Sequence, residues 1–352
     1  MNQNFRTLLC WIGVLVLSAL FISVLYYKQI PGAFLLGPML AGIIFGLNNA
    51  NLSVAKPLFN LSQGILGCLT AEAITANVIY SLMSYWQLAF IITGSTIIIS
   101  ALLGSILYRF SSLPGSTAIW GVMPGGASAM VGISGDYSAD PRLVALIQYL
   151  RVIFVVFMLA SFAHFFSERH GIQSSTQSLE IFPKPSLNLI YTILVAIIGV
   201  YITKLIKFPS GRILLPMAIG AILQINGVLT LETPQWLLMI CSGSIGLSVG
   251  LRFNVVLIKL AIKTLPIILM TILLMLVFCL VQAIVMHFYL GVDYLTCFLA
   301  TSPGGLDTSV IIALDTHSNL ELILPLQILR FFSVLVFGPI LARYLSKKLN
   351  LS

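Results

Sequence analysis

Seven stretches of this chain, residues 8–27, 30–48, 86–108, 186–203, 213–229, 234–251 and 264–286, contain no Asp, Glu, Lys or Arg. No other feature narrows the fold as far. At 1.5 Å of rise per residue, a helix of roughly 20 residues covers the hydrocarbon layer of a bilayer, and most of these runs approach that length. Three more segments hold a single charge each: 57–80 contains Glu72, 143–166 contains Arg151, and 322–342 contains Arg330. Charged residues make up 8% of the 352, against about a quarter in soluble domains. The sequence therefore predicts an all-α polytopic membrane protein whose first partner is the lipid bilayer. Residues 1–27 do not read as a cleaved signal peptide, because Tyr26, Tyr27 and Lys28 follow the apolar run where a small-residue cleavage site would stand.

The second constraint is internal. Pro124, Gly125 and Gly126 recur in the second half as Pro303, Gly304 and Gly305, Gln148 recurs as Gln327, and Arg151 as Arg330, all at one constant spacing and without a gap. Asp136 faces Asp315 and Asp140 faces Asn319 in the same register, and Gly64-x-x-Gly67 returns as Gly243-x-x-Gly246. Pro38-Met39-x-x-Gly42 returns as Pro216-Met217-x-x-Gly220, one position short of that spacing. A period this long points to a duplicated membrane module, parallel or inverted. The paired small residues read as positions where helix backbones approach closely.

The basic residues choose the orientation. With six spans per half and the amino terminus inside, Lys and Arg divide evenly between the two sides. With five spans per half and each Pro-Gly-Gly segment dipping in and returning (about 113–135 and 295–314), thirteen of the eighteen fall inside. Lys28, Arg169 and Lys184 then fall outside, and Arg151 and Arg330 lie within spans. The positive-inside rule favours this second arrangement. The expectation is two inverted repeats, residues 1–168 and 186–352, joined by an external linker at 169–185, with ten spans and both termini in the cytoplasm. The linker carries the polar stretch His170 to Glu180 and Pro183-Lys184-Pro185.

Charge and broken backbone are both costly in lipid and persist where they face protein or a water-filled cavity, so each marks a candidate site. Asp140-Pro141 and Ser318-Asn319 with Glu321 read as helix starts. The arginines lie about ten residues further on, roughly 15 Å along the axis and half the depth of the layer. Gln148 and Gln327 share their helical face. In an inverted pair both Gln-x-x-Arg faces meet near the midplane, where transporter sites form.

The candidate substrate-binding set is therefore Pro124, Gly125, Gly126, Ser128, Gln148 and Arg151, with Pro303, Gly304, Gly305, Asp307, Thr308, Ser309, Gln327 and Arg330. The broken segments free N–H groups, and two guanidinium forks suit a carboxylate or similar anion. The structural alternative has the arginines bonded to the carbonyls of the broken segments, or paired with Asp136, Asp307, Asp315 or Glu72. Glu72 and Asp307 lack acidic counterparts in the other half and are the candidates for a coupling proton or cation. Pro325 is expected to kink the last span.

Five cysteines in apolar segments without CxxC spacing read as small hydrophobes, and four scattered histidines offer no metal motif. No cofactor, metal or enzymatic chemistry is expected. The net charge of +8 comes from cationic loops without interleaved aromatics, so no direct nucleic-acid contact is expected either. Oligomeric state is left open.

The paired Pro-Gly-Gly segments, each followed by Gln-x-x-Arg in a long apolar helix, resemble the bacterial AbrB-type membrane protein family over essentially the whole chain. That resemblance implies a duplicated domain in the inner membrane. The labels attached to the family are membrane regulator of gene expression and ammonia monooxygenase. The residues here supply neither a copper or iron site nor a DNA-binding module, and they lack the β-rich pattern of the small soluble DNA-binding regulator that shares the name. The broken-helix organisation is similar to the cation–proton antiporter and anion transporter architecture. Two functions are expected: secondary transport of a small anionic or polar metabolite, or indirect regulation through ligand sensing or partner capture.

Overall fold

The structure is a computed structural model. It describes residues 3–28, 30, 32–48, 52–74, 86–111, 113–124, 130, 134, 139–170, 187–206, 211–253, 255, 259, 262–304 and 306–349. Among the described residues there are thirteen helices and no strand: α1 (Gln3–Tyr27), α2 (Ala33–Leu47), α3 (Lys56–Ala73), α4 (Trp86–Phe110), α5 (Gly115–Val122), α6 (Pro141–His170), α7 (Leu187–Ile206), α8 (Gly211–Ile225), α9 (Gln235–Gly250), α10 (Leu265–Leu290), α11 (Tyr294–Thr301), α12 (Leu306–Asp315) and α13 (Leu320–Leu349). Every charge-free run in the sequence lies largely on one of them. Thr7–Tyr27, Trp86–Phe110, Pro141–Phe165, Leu187–Ile206 and Leu265–Leu290 are long and apolar enough to cross a membrane. Apolar side chains such as Leu15, Val16, Ile91, Ile98, Leu194 and Val277 stand exposed on these helices, as befits helices whose surroundings are lipid. The chain has the build of a helical membrane protein.

Some of the helices are shorter than the charge-free runs suggest. α2, α8 and α9 have 15, 15 and 16 residues. Gly32, in the left-handed region at φ 74°, turns the chain into α2, and Asn48 closes it by capping onto the Ile44 carbonyl. α13 runs unbroken through Pro325. Four pairs of helices begin at the same constant spacing that relates the two Pro-Gly-Gly segments: α3 and α9, α4 and α10, α5 and α11, α6 and α13.

The chain divides into two units, residues 1–77, 160–255 and 310–317 in the first, and 78–159, 256–309 and 318–352 in the second. Each takes helices from both halves of the sequence. In the first, α2 packs on α1 and α9, and α3 packs on α7, α8 and α9. The glycine pairs set this packing. A Cβ on Gly246 would fall inside van der Waals contact of the Leu35 carbonyl oxygen, and one on Gly67 would do the same to Ile213. Ile65, Cys68, Ala71, Val195, Ala196 and Cys241 fill the core between these helices.

In the second unit, α4 packs on α5, α10 and α13, and α11 packs on α10 and α13. Its core is Ile97, Ile119, Trp120, Met123, Met130, Val144 and Val334.

Candidate functional site

The site is built on the two breaks in the second unit. α5 ends at Val122 with Met123 extended (φ −60°, ψ 125°), and α11 ends at Thr301 with Ser302 extended (φ −57°, ψ 139°). Each is followed by proline. Steric conflict with a following proline ring drives a residue out of the helical region, so Pro124 and Pro303 stop both helices after two turns. The last carbonyls of a helix have no intrahelical donor and carry the negative end of its dipole. Buried at these breaks, they need donors from elsewhere.

The Gln-x-x-Arg pairs supply them. Gln148 Nε2 donates to the Trp120 and Met123 carbonyls, both at 2.9 Å, and Arg151 Nη1 donates to Met123 at 2.8 Å and Val122 at 3.5 Å. Gln327 Nε2 donates to Leu299 at 2.7 Å and Ser302 at 3.5 Å, and Arg330 Nη1 donates to Thr301 at 3.3 Å and to Ser302. The second set repeats the first at the spacing of the sequence repeat, donor and acceptor alike. Arg330 adds Nη2 bonds to the Gly304 carbonyl at 3.1 Å and to Gln327 Oε1. All four side chains are buried.

The long helices are registered on the same segments. Arg142 N donates to Asp140 Oδ1 and Glu321 N to Asn319 Oδ1, as the expected helix starts require. Asp140 N also donates to Thr117 Oγ1 at 3.0 Å and Asn319 N to Thr296 Oγ1 at 3.1 Å. Thr117 and Thr296 were missed by the sequence reading, although they too occupy equivalent positions of the repeat.

Each long helix then meets the other break. A Cβ on Gly304 would lie 3.1 Å from Val155 of α6, and 3.3 and 3.5 Å from the hydroxyls of Thr308 and Ser309. Val334 of α13 shares a cluster with Trp120 and Met123, and Gly338 faces the Met123 sulfur. Arg151 and Arg330 lie within electrostatic range of each other and of Cys279 on α10. Thr301 Oγ1 donates to the Cys279 carbonyl at 3.0 Å.

Of the remaining candidates, Pro124, Thr308 and Ser309 are buried at the breaks, and Ser309 Oγ accepts from Gln327 at 3.3 Å. Gly125, Gly126, Ser128, Asp136 and Gly305, and the side chain of Asp307, lie outside the described residues. Asp315 goes elsewhere than to an arginine: its Oδ2 accepts from Gly32 N at 2.7 Å, capping α2 from a remote part of the chain. Glu72 sits in the first unit, bonded through Oε1 to the Thr233 hydroxyl, while its own backbone carbonyl accepts from Gln224 at 3.1 Å. Among the described residues no group of His, Cys, Asp and Glu is arranged to hold a metal ion.

A profile of the family described as "Transition state regulatory protein AbrB" matches residues 34–346, which include both breaks and both Gln-x-x-Arg pairs. "Putative regulator AbrB" of Escherichia coli (strain K12) is 39% identical over 335 residues, covering 95% of this chain and 96% of the relative. "Uncharacterized protein YhjN" of Bacillus subtilis (strain 168) is 23% identical over 294 residues, covering 79% of this chain and 76% of the relative.

Proposed function

The chain belongs to the AbrB family, and on that premise we propose that it is a secondary transporter of a small anionic or polar metabolite in the bacterial inner membrane. The observation that carries this reading is the state of Arg330. The residue is 5% exposed, and the described partners of its guanidinium are four neutral oxygens. Carbonyl oxygens satisfy hydrogen bonds without neutralising charge. In a low-dielectric setting a buried guanidinium held by neutral oxygens keeps a positive potential that a bound anion would cancel.

We read the paired helices as two inverted repeats, residues 1–168 and 186–352, with ten spans, two re-entrant Pro-Gly-Gly segments and both termini in the cytoplasm. Alternating access would move one part of the molecule against the other around the fixed breaks. Glu72 and Asp307 are the candidates for the coupling ion. The test is uptake and efflux in proteoliposomes with a panel of small organic anions. Flux above that of empty vesicles is expected for at least one; none in either gradient direction would overturn the reading.

A second reading is favoured by the name of the Escherichia coli relative, which calls that protein a regulator. Here the same site would sense a ligand, and occupancy would govern capture of a partner at the inner surface through the short cytoplasmic loops. Affinity capture from membranes with and without bound anion tests it; recovery of no reproducible partner in either condition would count against it.

A further inference from the structure

One corner of the first unit is built differently in the two halves of the repeat. Glu72, in the last turn of α3, accepts from the Thr233 hydroxyl just ahead of α9. At the spacing that relates the Pro-Gly-Gly segments, the equivalents of Glu72 and Thr233 are Leu251 and Val54. Those two pack with Leu52 and Leu247 in an apolar cluster. The module therefore closes this corner with apolar side chains in one copy, and the fold alone does not call for a carboxyl in the other.

Four helix ends meet around Glu72. Gln224, at the end of α8, donates from Nε2 to the Glu72 backbone carbonyl at 3.1 Å, and Thr192, near the start of α7, bonds both the N–H and the carbonyl of Glu232, beside Thr233. The basic residues of these helices all lie at the opposite ends: Lys56 opens α3, Lys204 is in the last turn of α7, Arg212 is near the start of α8 and Arg252 follows α9. Basic residues mark the cytoplasmic side, so this corner faces outward in the ten-span arrangement.

These surroundings oppose a charge on Glu72. Ala71, Leu231 and Leu237 belong to the core there, with Ile74, Leu223 and Leu229 packed against it. The end of a helix is the negative end of its dipole, and Glu232 brings a second carboxyl through its place next to Thr233. Cys68, one turn earlier on α3, is the other titratable group at this end of the helix, and its Sγ bonds the Thr192 carbonyl. Among the described residues no Lys, Arg or His pairs with Glu72; its side-chain partner is Thr233.

The corner also lacks a donor. The bond from Gln224 Nε2 to a carbonyl fixes the other end of that amide as oxygen, and this Oε1 is buried without a partner. A carboxylate brings only more acceptors, whereas a carboxylic acid brings an O–H. A metal ion would need a shell of about six oxygens or more, and two oxygens of Glu72 already receive donors from Thr233 and Gln224.

We propose that Glu72 binds the proton that couples transport, taking it from the outer aqueous phase to become a neutral acid and releasing it as the carboxylate re-forms in the other state of the cycle. This deepens the transport reading and rests on it.

The test compares the full chain in lipid nanodiscs with Glu72→Gln, which keeps the shape of the acid form and cannot ionise. Melting is followed from about pH 4.5 to about pH 8.5, in sodium chloride and in choline chloride. The two proteins are expected to melt together at the acid end and to diverge by an amount on the order of 5 °C at the alkaline end, wild type the lower, in both salts alike. A constant gap across the range would overturn the proton site while leaving an anion transporter standing. A gap that sodium closes would overturn it in favour of a metal cation. If Glu72→Gln does not fold, Glu72→Leu with Thr233→Val, which installs the apolar pair of the other half, takes its place.

In proteoliposomes with the membrane potential clamped, succinate, malate and gluconate are the probes. For a probe that is carried, an inward gradient of one pH unit should raise accumulation by up to about 10-fold. Carriage indifferent to that gradient would overturn the coupling role alone. Titration of Glu72 without carriage of any anion would overturn the transport reading and the coupling role with it.

Discussion

Replacing Arg330 by lysine keeps the positive charge and removes the fork, which separates what the charge does from what the geometry does. The guanidinium reaches four oxygens on two sides, with Nη1 on Thr301 and Ser302 and Nη2 on Gly304 and Gln327 Oε1. A lysine ammonium is a single point on a shorter stem. It can replace the Nη1 bonds to the end of α11, but it cannot also meet the Gly304 carbonyl and Gln327 Oε1 across the break. Two buried acceptors are then left unmet at about 1–3 kcal/mol each. Because they share one donor and one network, their costs do not add fully, and a loss of about 2–4 kcal/mol is expected. Arg330→Lys should therefore lower the melting temperature in nanodiscs by an amount on the order of 5 °C and reduce anion flux in proportion to the folded fraction or below it. A variant with wild-type melting temperature would refute the reasoning, since it would mean that the described bonds to the break contribute nothing. Wild-type flux in a stable variant would refute the substrate role as well.

The glycines of α9 give a built-in control: Gly246→Ala places a methyl against the Leu35 carbonyl oxygen, whereas at Gly243 the nearest atoms to a Cβ are 3.7 Å away. The first should cost about 1–3 kcal/mol through overpacking and the second almost nothing, as read by melting temperature. Thr117→Val and Thr296→Val each remove the hydroxyl that receives the first backbone N–H before a long helix, and each should cost about 1 kcal/mol; no effect from either would show that water replaces the hydroxyl. Cysteine labelling at Ser174 and Ser352, in a background without the native cysteines, should find the first accessible from outside and the second from inside. The same side for both would return the chain to parallel repeats.

The helices and the pairing of residues were legible because lipid imposes strict conditions: a run without charge has few fates, and a charge inside one has fewer. Arg151 and Arg330 stood out for that reason, and the alternative that they bond to the carbonyls of the breaks is what the structure describes. The destination of each bond was not legible, because those acceptors are backbone oxygens, which carry no residue identity. Thr117 and Thr296 escaped notice since threonine in an apolar helix ordinarily bonds its own preceding turn, as Thr192 does with Asn188. Asp315 misled because its sequence position matches Asp136 while its contact, Gly32 N, lies 283 residues away. That Gln327 Oε1 accepts from Arg330 while the buried Gln148 Oε1 has no partner could not be read at all; in sequence, Gln148 and Gln327 are the same residue at the same place.

Among the described residues, the carbonyls that receive Arg151 belong to residues 122 and 123, and those that receive Arg330 belong to residues 301, 302 and 304. In both halves these acceptors are therefore synthesised before the donor. A ribosome making this chain delivers each broken helix to the membrane ahead of its arginine, so the cation arrives where its ligands already exist. An arginine at the centre of an inserting helix costs about 2.5–3.5 kcal/mol, and chain order supplies the compensation at the moment of insertion. A circular permutation that placed residues 141–170 ahead of residues 115–124 would retain every bond of the finished structure and lose that sequence of events. Biogenesis, and not the folded state, is where such a chain would fail.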